Sequence, residues 1–135
     1  MTFSILRPVR FAHVDPAGIV YYPRLFEMID GAVEDWCRAT FGMGRQASHV
    51  VRRLGTPVVD IHTRFLAASR LDEVLRFEVR VAALGRTSLD LIVTAWVADE
   101  RRLEATVRQV LTDLDAMRAV AWPEDWRAAI EERMA

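Results

Sequence analysis

The succession of hydrophobic patterns along the 135-residue chain predicts an α+β fold, in which an antiparallel sheet packs on one long helix. Three observations support this prediction. Strand-forming residues come first, a stretch with helical periodicity follows, and the remainder alternates with the period of two that is typical of strands. The length suits a single core, so we expect residues 1–135 to form one domain.

The first two predicted elements are an edge strand and the long helix. A strand is predicted over 2–11, and because Pro8 lacks an amide hydrogen, we expect this strand to lie at a sheet edge or to bend there. The helix is predicted from Tyr22 to about Phe41, and Gly42 ends it. Its apolar face consists of Tyr22, Leu25, Phe26, Ile29, Ala32, Val33, Trp36 and Cys37.

The second half of the chain is predicted to be built mainly of strands. Residues 42–55 form a loop with a short irregular or helical piece. The alternating runs that follow predict strands around 59–65, 75–81, 89–97 and 103–114. The alternation slips near Gln109 and Val110, which indicates a β-bulge there. Pro123 is well placed for the first turn of a short C-terminal helix.

Composition and charge exclude several classes of protein. A content of 52% hydrophobic and 27% charged residues is typical of a globular protein, and a net charge of −1 argues against a broadly basic nucleic-acid surface. No apolar run approaches the roughly 20 residues that span a bilayer, and no secretory signal is visible. The single cysteine, Cys37, fits a reducing compartment. We therefore expect a cytoplasmic protein that binds neither nucleic acid nor membranes and holds no metal.

Asp15 is the candidate functional residue, because it lies in a glycine-containing turn shortly before the long helix. The first amide groups of a helix lack internal partners, carry partial positive charge and suit a developing oxyanion. Gly18 permits a close approach of substrate or an unusual backbone angle. A carboxylate beside such amides can attack a carbonyl or activate water. The simpler interpretation is an acid that caps the helix or forms a turn.

The segment 9–23, which reads VRFAHVDPAGIVYYP, resembles the signature of the 4-hydroxybenzoyl-CoA thioesterase family. The similarity extends over about 6–114 and includes Asp30, the segment 55–59, Phe65 and Asp72. Members of that family have the hot-dog fold. The resemblance therefore implies a curved antiparallel sheet of about five strands wrapped around one long helix, followed here by a short C-terminal helix.

The resemblance assigns roles to residues by position. Asp15 would be the catalytic carboxylate, either as the nucleophile that forms an acyl-enzyme anhydride or as the base for water. The backbone N–H of Tyr22 would polarise the thioester carbonyl. The residues expected to contact substrate are His13, Gly18, Tyr21, Thr56, Arg86 and Ser88.

Two of these assignments have structural alternatives. His13 stands where the hydroxybenzoyl enzyme has an acid, and on an extended backbone it would share a face with Asp15. It would then tune Asp15 or contact the acyl group, unless it is a purely structural histidine. Arg86 and Ser88 follow the Gly85 turn, where the family has a basic cluster near coenzyme A, and the alternative is a solvated hairpin turn.

The implied activity is hydrolysis of an acyl-CoA, with an aromatic, hydroxybenzoyl-like acyl group as the first candidate. Coenzyme A would be part of the substrate, so no separate cofactor is expected. The resemblance further implies homodimers that pair into homotetramers, with each site at a subunit interface. The alternatives are a hydratase or dehydratase that acts on an acyl thioester, or a non-catalytic acyl-CoA-binding module. An acyl carrier protein in place of coenzyme A also stays open.

Overall fold

A five-stranded antiparallel sheet forms the framework of the computed structural model, which describes residues 2–134. The strands are, in chain order, β1 (Phe3–Pro8), β2 (Leu54–Gly55), β3 (Val58–Phe65), β4 (Val74–Leu84), β5 (Ser88–Val97), β6 (Glu100–Val110), β7 (Thr112–Asp113) and β8 (Arg118–Ala119). The main sheet has the order β1-β4-β5-β6-β3, and β2, β7 and β8 form a small second sheet. Strand β1 therefore lies at an edge, as Pro8 predicts, and β3 forms the other edge.

The long helix and the C-terminal helix begin as predicted, whereas the predicted strand over 2–11 ends at Pro8, and Phe11 belongs to a 3-10 turn. The helical segments are α1 (Tyr22–Phe41), α2 (Glu124–Met134), the 3-10 turn (Phe11–His13) and a π-helical turn (Gln46–Val51). Helix α1 ends at Gly42, which has a φ of 70° and donates its N–H to the Arg38 carbonyl at 3.0 Å. Helix α2 begins directly after Pro123. Neither helix within residues 2–134 has the length and apolar character needed to cross a bilayer.

The core lies between α1 and the inner face of the main sheet. From α1 it takes Leu25, Met28, Ile29, Ala32, Val33, Trp36 and Cys37. From the central strands it takes Leu75, Phe77, Val79, Leu89, Leu91, Val93, Ala95, Leu103, Ala105 and Val107. Full burial of one such large apolar side chain contributes about 1.5–3 kcal/mol, so this interface dominates the stability of the fold. These burials confirm the predicted periodicities of α1, β4, β5 and β6, but they correct two details. Tyr22, predicted on the apolar face, is 57% exposed at the start of α1, and no residue of β3 is buried, because β3 is an edge strand.

The C-terminal segment packs against the end of α1. Trp122 and Trp126 are buried and stack on Phe41, with ring centroids 6.1 and 4.4 Å away.

Cys37 is a small buried core residue, and burial raises the pKa of its thiol to about 12.

The predicted bulge near Gln109 lies in the neighbouring strand. Gln109 is 1% exposed and keeps the inward phase of β6, so the alternation does not slip there. The register shift occurs in β3 between Val58 and Asp60, which pair with Gln109 and Arg108. The prediction located the irregularity but assigned it to the wrong strand, because it interpreted a buried glutamine as an outward-facing residue.

Candidate active site

A closed loop between β1 and α1 carries Asp15 to the start of the helix. The Tyr21 N–H donates to the His13 carbonyl at 2.9 Å, and the Asp15 N–H donates to the Ile19 carbonyl at 3.0 Å. The Gly18 N–H donates to the Asp15 carbonyl at 2.9 Å, and Gly18 has a φ of 80°, which favours glycine. These bonds fix the backbone on both sides of the carboxylate.

The Asp15 carboxylate forms a turn but does not cap α1. Its Oδ1 accepts a hydrogen bond from the Ala17 N–H at 2.8 Å, and its Oδ2 accepts none from any donor within residues 2–134. The N-cap residue of α1 is Tyr21, and no side chain caps the helix there. Asp15 is partly exposed, so Oδ2 can reach a bound molecule or water.

Helix α1 begins with an amide that has no acceptor. Pro23 lacks an N–H, and the Arg24 N–H donates back to the Tyr21 carbonyl at 2.8 Å. The Tyr22 N–H donates no hydrogen bond to any acceptor in the part of the chain that the structure describes. Such an amide carries the positive end of the helix dipole and can stabilise negative charge on a carbonyl oxygen.

An open groove and a cavity lie along one flank of α1, toward edge strand β3. The groove, of about 420 Å³, is lined by the 65–69 segment together with Ile19, Val20, Tyr22 and Leu25. The cavity, of about 280 Å³, lies further along α1 between the helix and strands β3 and β6. The rings of Tyr22, Phe26 and Phe65 meet edge-on where the two adjoin, with centroids 5.9–6.4 Å apart.

The far wall of the groove is anchored by an ion pair that the sequence did not reveal. Arg102 donates from both terminal nitrogens to the two Glu73 carboxylate oxygens at 2.8 Å, and also to the Ala68 carbonyl. These hydrogen bonds from Arg102 lower the pKa of Glu73. The Ser69 carbonyl accepts the Val20 N–H at 2.8 Å. The wall is thus tied to β6 on one side and to the Asp15 loop on the other.

A register irregularity explains why Arg102 points inward. Ala95 pairs with Leu103 and Trp96 pairs with Arg101, so Arg102 is an extra residue in β6. Arg102 and Leu103 are consequently both buried, although neighbours in a regular strand face opposite sides. The resemblance pointed to Asp72 in this turn, but Asp72 has a φ of 71° and its neighbour Glu73 makes the ion pair.

His13 and Tyr21 lie on either side of the Asp15 turn. The His13 Nδ1 accepts the Arg10 N–H at 2.8 Å, and no hydrogen bond within residues 2–134 joins His13 to Asp15. The imidazole borders a separate cavity of about 230 Å³. The Tyr21 side chain is 50% exposed and packs edge-on against the Tyr22 ring.

Thr56 lies next to Asp30 and away from Asp15. It is buried and lines a third cavity, of about 250 Å³, with Asp30, Arg45 and His49. Asp30 is eight residues beyond Tyr22 on α1, which corresponds to about 12 Å at 1.5 Å per residue.

The residues around Thr56 are engaged with one another. The Asp30 carboxylate accepts two hydrogen bonds from Arg45, at 2.8 and 2.9 Å. Burial, and then the charge of Arg45, lower the pKa of His49. No group of three His, Cys, Asp or Glu side chains within residues 2–134 is arranged to hold a metal ion.

Arg86 and Ser88 lie at the opposite end of the sheet from the Asp15 loop. They belong to the hairpin after β4, a strand about 30 Å long at roughly 3.3 Å per residue. The start of β4 adjoins the Asp15 loop, because the Val9 N–H donates to the Glu73 carbonyl at 2.8 Å. A single chain therefore does not bring Arg86 and Asp15 together.

The order of elements, the single long helix and the carboxylate at the helix start are those of a hot-dog thioesterase. The family model described as the Thioesterase-like superfamily matches residues 9–130. The chain therefore belongs to the thioesterase-like superfamily, and its enzyme class is thioester hydrolase.

Individual relatives agree with this membership. A 4-hydroxybenzoyl-CoA thioesterase from Pseudomonas sp. (strain CBS-3) is 30% identical over 89 aligned residues. These residues cover 64% of this chain and only 62% of that enzyme. The acyl-CoA thioesterase YbgC from Haemophilus influenzae is 26% identical over 94% of this chain and 93% of its own. A crystal structure of a thioesterase superfamily protein from Jannaschia sp. CCS1 has the same fold, with a TM-score of 0.92 and 21% sequence identity. The match covers 99% of this chain and 94% of that chain.

Proposed function

We propose that the protein hydrolyses acyl-CoA thioesters, with Asp15 as the catalytic carboxylate and the Tyr22 N–H as the donor to the thioester carbonyl. The observation that carries this proposal is the Tyr22 amide, which has no acceptor within residues 2–134 and lies beside the closed loop of Asp15. Both relatives compared above are named as acyl-CoA thioesterases. The lone, buried Cys37 is consistent with action in the cytoplasm.

The chemistry needs a nucleophile at the carbonyl carbon and a donor at the carbonyl oxygen. In one route the Asp15 carboxylate attacks the carbonyl, coenzyme A leaves as thiolate, and water hydrolyses the acyl-aspartyl anhydride. In the other, Asp15 takes a proton from water as the water attacks. Either route consumes one water and yields a carboxylic acid and free coenzyme A. The Tyr22 N–H stabilises the negative charge that develops on the carbonyl oxygen.

An aromatic acyl group is the first candidate substrate. The groove and the cavity adjoin at the rings of Tyr22, Phe26 and Phe65, which offer both faces and edges to a planar ring. The relative from Pseudomonas acts, by its name, on 4-hydroxybenzoyl-CoA. These observations support a hydroxybenzoyl-like acyl group over a saturated chain.

A second copy of the chain would complete the site. Edge strand β3 carries exposed apolar side chains, among them Val58, Val59, Ile61 and Phe65, beside a row of unpaired backbone groups. Pairing of two such edges would cover the groove and the cavity in both copies. Because the whole length of β4 separates Arg86 from the Asp15 loop of its own chain, a contact to coenzyme A phosphates would come from another copy. We therefore propose a homodimer, with a homotetramer as its further assembly.

A thiol-release assay over a panel of acyl-CoAs tests this function. We expect stoichiometric free acid and coenzyme A, with aromatic acyl groups turned over fastest. A change in the absorbance of the acyl double bond without thiol release would instead identify a hydratase or dehydratase. Binding of acyl-CoA with no thiol above background would identify a binding module. An acyl carrier protein loaded with the same acyl group serves as the carrier control.

A further inference from the structure

The side chain of Gln109 is buried without a hydrogen-bond partner. Gln109 is 1% exposed, and its Oε1 has no partner within residues 2–134. No other hydrogen bond of its side-chain amide is found in the described chain, so neither end of the carboxamide is paired there. A buried amide that stays unpaired is costly, and proteins usually pair such groups or use them.

Gln109 lines a cavity whose other lining residues are apolar except for Asp30. The cavity of about 280 Å³ is lined by Phe26, Ile29, Val33, Val58, Ile61 and Val107 besides Gln109 and Asp30. The carboxylate of Asp30 is already engaged in two hydrogen bonds with Arg45. Among the described residues, Gln109 is therefore the polar side chain of this cavity whose hydrogen-bonding groups are all unpaired.

The bulge in β3 builds this cavity opposite Gln109. Val58 and Ile61 are three residues apart, so in a regular strand they would face opposite sides. The register shift between Val58 and Asp60 turns both toward the cavity, directly across from Gln109 on β6. Bulges that re-aim side chains are common next to binding sites.

We propose that Gln109 is a specificity-determining residue, which recognises a hydroxyl group on the far part of the acyl group in this cavity. The proposal rests on the acyl-CoA thioesterase function proposed above. A hydroxyl both donates and accepts, so it can pair with either end of the carboxamide. An acyl group without a polar substituent would leave the buried amide unpaired.

The position of the cavity along α1 assigns Gln109 to the far end of the acyl group. Ile29, which lines the cavity, is seven residues beyond Tyr22, or about 11 Å along the helix. A thioester carbonyl at the Tyr22 N–H is thus out of reach of Gln109. The cavity volume of about 280 Å³ far exceeds the roughly 10–15 Å³ that a single water needs, so the cavity has room for a larger group.

The test compares 4-hydroxybenzoyl-CoA with benzoyl-CoA as substrates of the wild type and of Gln109→Leu. We expect the wild type to prefer the hydroxylated substrate by at least about tenfold in kcat/KM. In Gln109→Leu this preference falls to near one, through loss of activity on the hydroxylated substrate alone. The matched control is Gln46→Leu, which makes the same change at the exposed glutamine of the π-helical turn and keeps the wild-type preference.

A binding measurement separates failure of this inference from failure of the proposed function. Titration calorimetry with the two intact acyl-CoAs uses Asp15→Asn, or the wild type if it releases no thiol, with and without Gln109→Leu. If no thiol is released but the binding preference still depends on Gln109, the proposed hydrolase activity is rejected, and the role of Gln109 in recognising the hydroxyl group stands. An unchanged preference in Gln109→Leu, no preference in the wild type, or no binding of either ligand would overturn the role of Gln109. Circular dichroism verifies that the variants are folded.

Discussion

Arg102 donates both of its terminal nitrogens to the Glu73 carboxylate, with each N–O distance at 2.8 Å. This ion pair joins the wall of the groove to β6, and the Arg102 guanidinium also donates a hydrogen bond to the Ala68 carbonyl at 2.8 Å. Because Ser69 in that wall accepts the Val20 N–H, the ion pair also positions the loop that carries Asp15. A contact in the wall of the groove thus supports the geometry of the candidate active site.

Replacing Glu73 with Gln should destabilise the fold in a pH-dependent way. Arg102 lowers the pKa of Glu73 below its ordinary value of 4.5, so the ionised form is the one favoured by folding. The stabilisation is therefore fully present above that value and is lost as the pH falls through the lowered pKa. We expect Glu73→Gln to cost about 1–3 kcal/mol in free energy of unfolding at neutral pH. Denaturant titrations across the acid range measure the difference between variant and wild type.

Glu100→Gln is the control for that prediction. Glu100 contacts the same arginine, but its side chain is 60% exposed. Exposed ion pairs contribute about 0–1 kcal/mol, so the change at neutral pH should be small. Equal losses for Glu73→Gln and Glu100→Gln, or a Glu73→Gln loss that grows as the pH falls, would be inconsistent with the partly buried two-nitrogen contact.

Val59→Lys should prevent association of two copies. Val59 is 56% exposed on edge strand β3, where a charged side chain opposes strand pairing. Sedimentation velocity should give a dimer or larger assembly for the wild type and a monomer with little thiol release for the variant. Val51→Lys, at a 71% exposed valine of the π-helical turn, should leave the assembly intact. A monomeric wild type with full activity would rule out the shared site.

Cys37 should be invisible to thiol reagents in the folded protein. Burial raises the pKa of this thiol to about 12, so at pH 8 the reactive thiolate is almost absent, and the sulfur is also shielded. An aromatic disulfide reagent should label no thiol in native protein and one per chain in denaturant. Rapid labelling of the native protein would mean that the end of α1 opens readily. The same result bears on thiol-release assays, because the protein then adds no background.

The helix and most of the strand pattern could be predicted from the sequence because those periodicities are strong. Helix α1 has the predicted bounds Tyr22–Phe41, since its apolar face is continuous and Gly42 supplies the left-handed end. The position of Asp15 at the helix start followed from the same boundary. Secondary structure of this kind is determined largely by residues that are close together in the sequence, so the sequence alone is enough to predict it.

The groove wall and the cavity could not be predicted because they depend on register. Two bulges turn Arg102 and Val58 inward, and no local signal distinguishes the extra residue from its neighbours. Gln109 appeared only as a break in an alternating pattern, although it is fully buried. The separation of Arg86 from Asp15 follows from the length of β4 and the topology of the sheet, which a motif does not report.

The most direct measurement is the turnover of the preferred acyl-CoA by Asp15→Asn at saturating substrate. Asparagine keeps the size of the side chain and can still accept the Ala17 N–H, so the loop should fold as before. We predict a loss of at least roughly a hundredfold in kcat, the scale expected for a positioned acid-base or nucleophilic group. Asp99→Asn, in the exposed turn between β5 and β6, should retain wild-type turnover. Near-normal turnover by folded Asp15→Asn would contradict the assignment of Asp15 as the catalytic carboxylate.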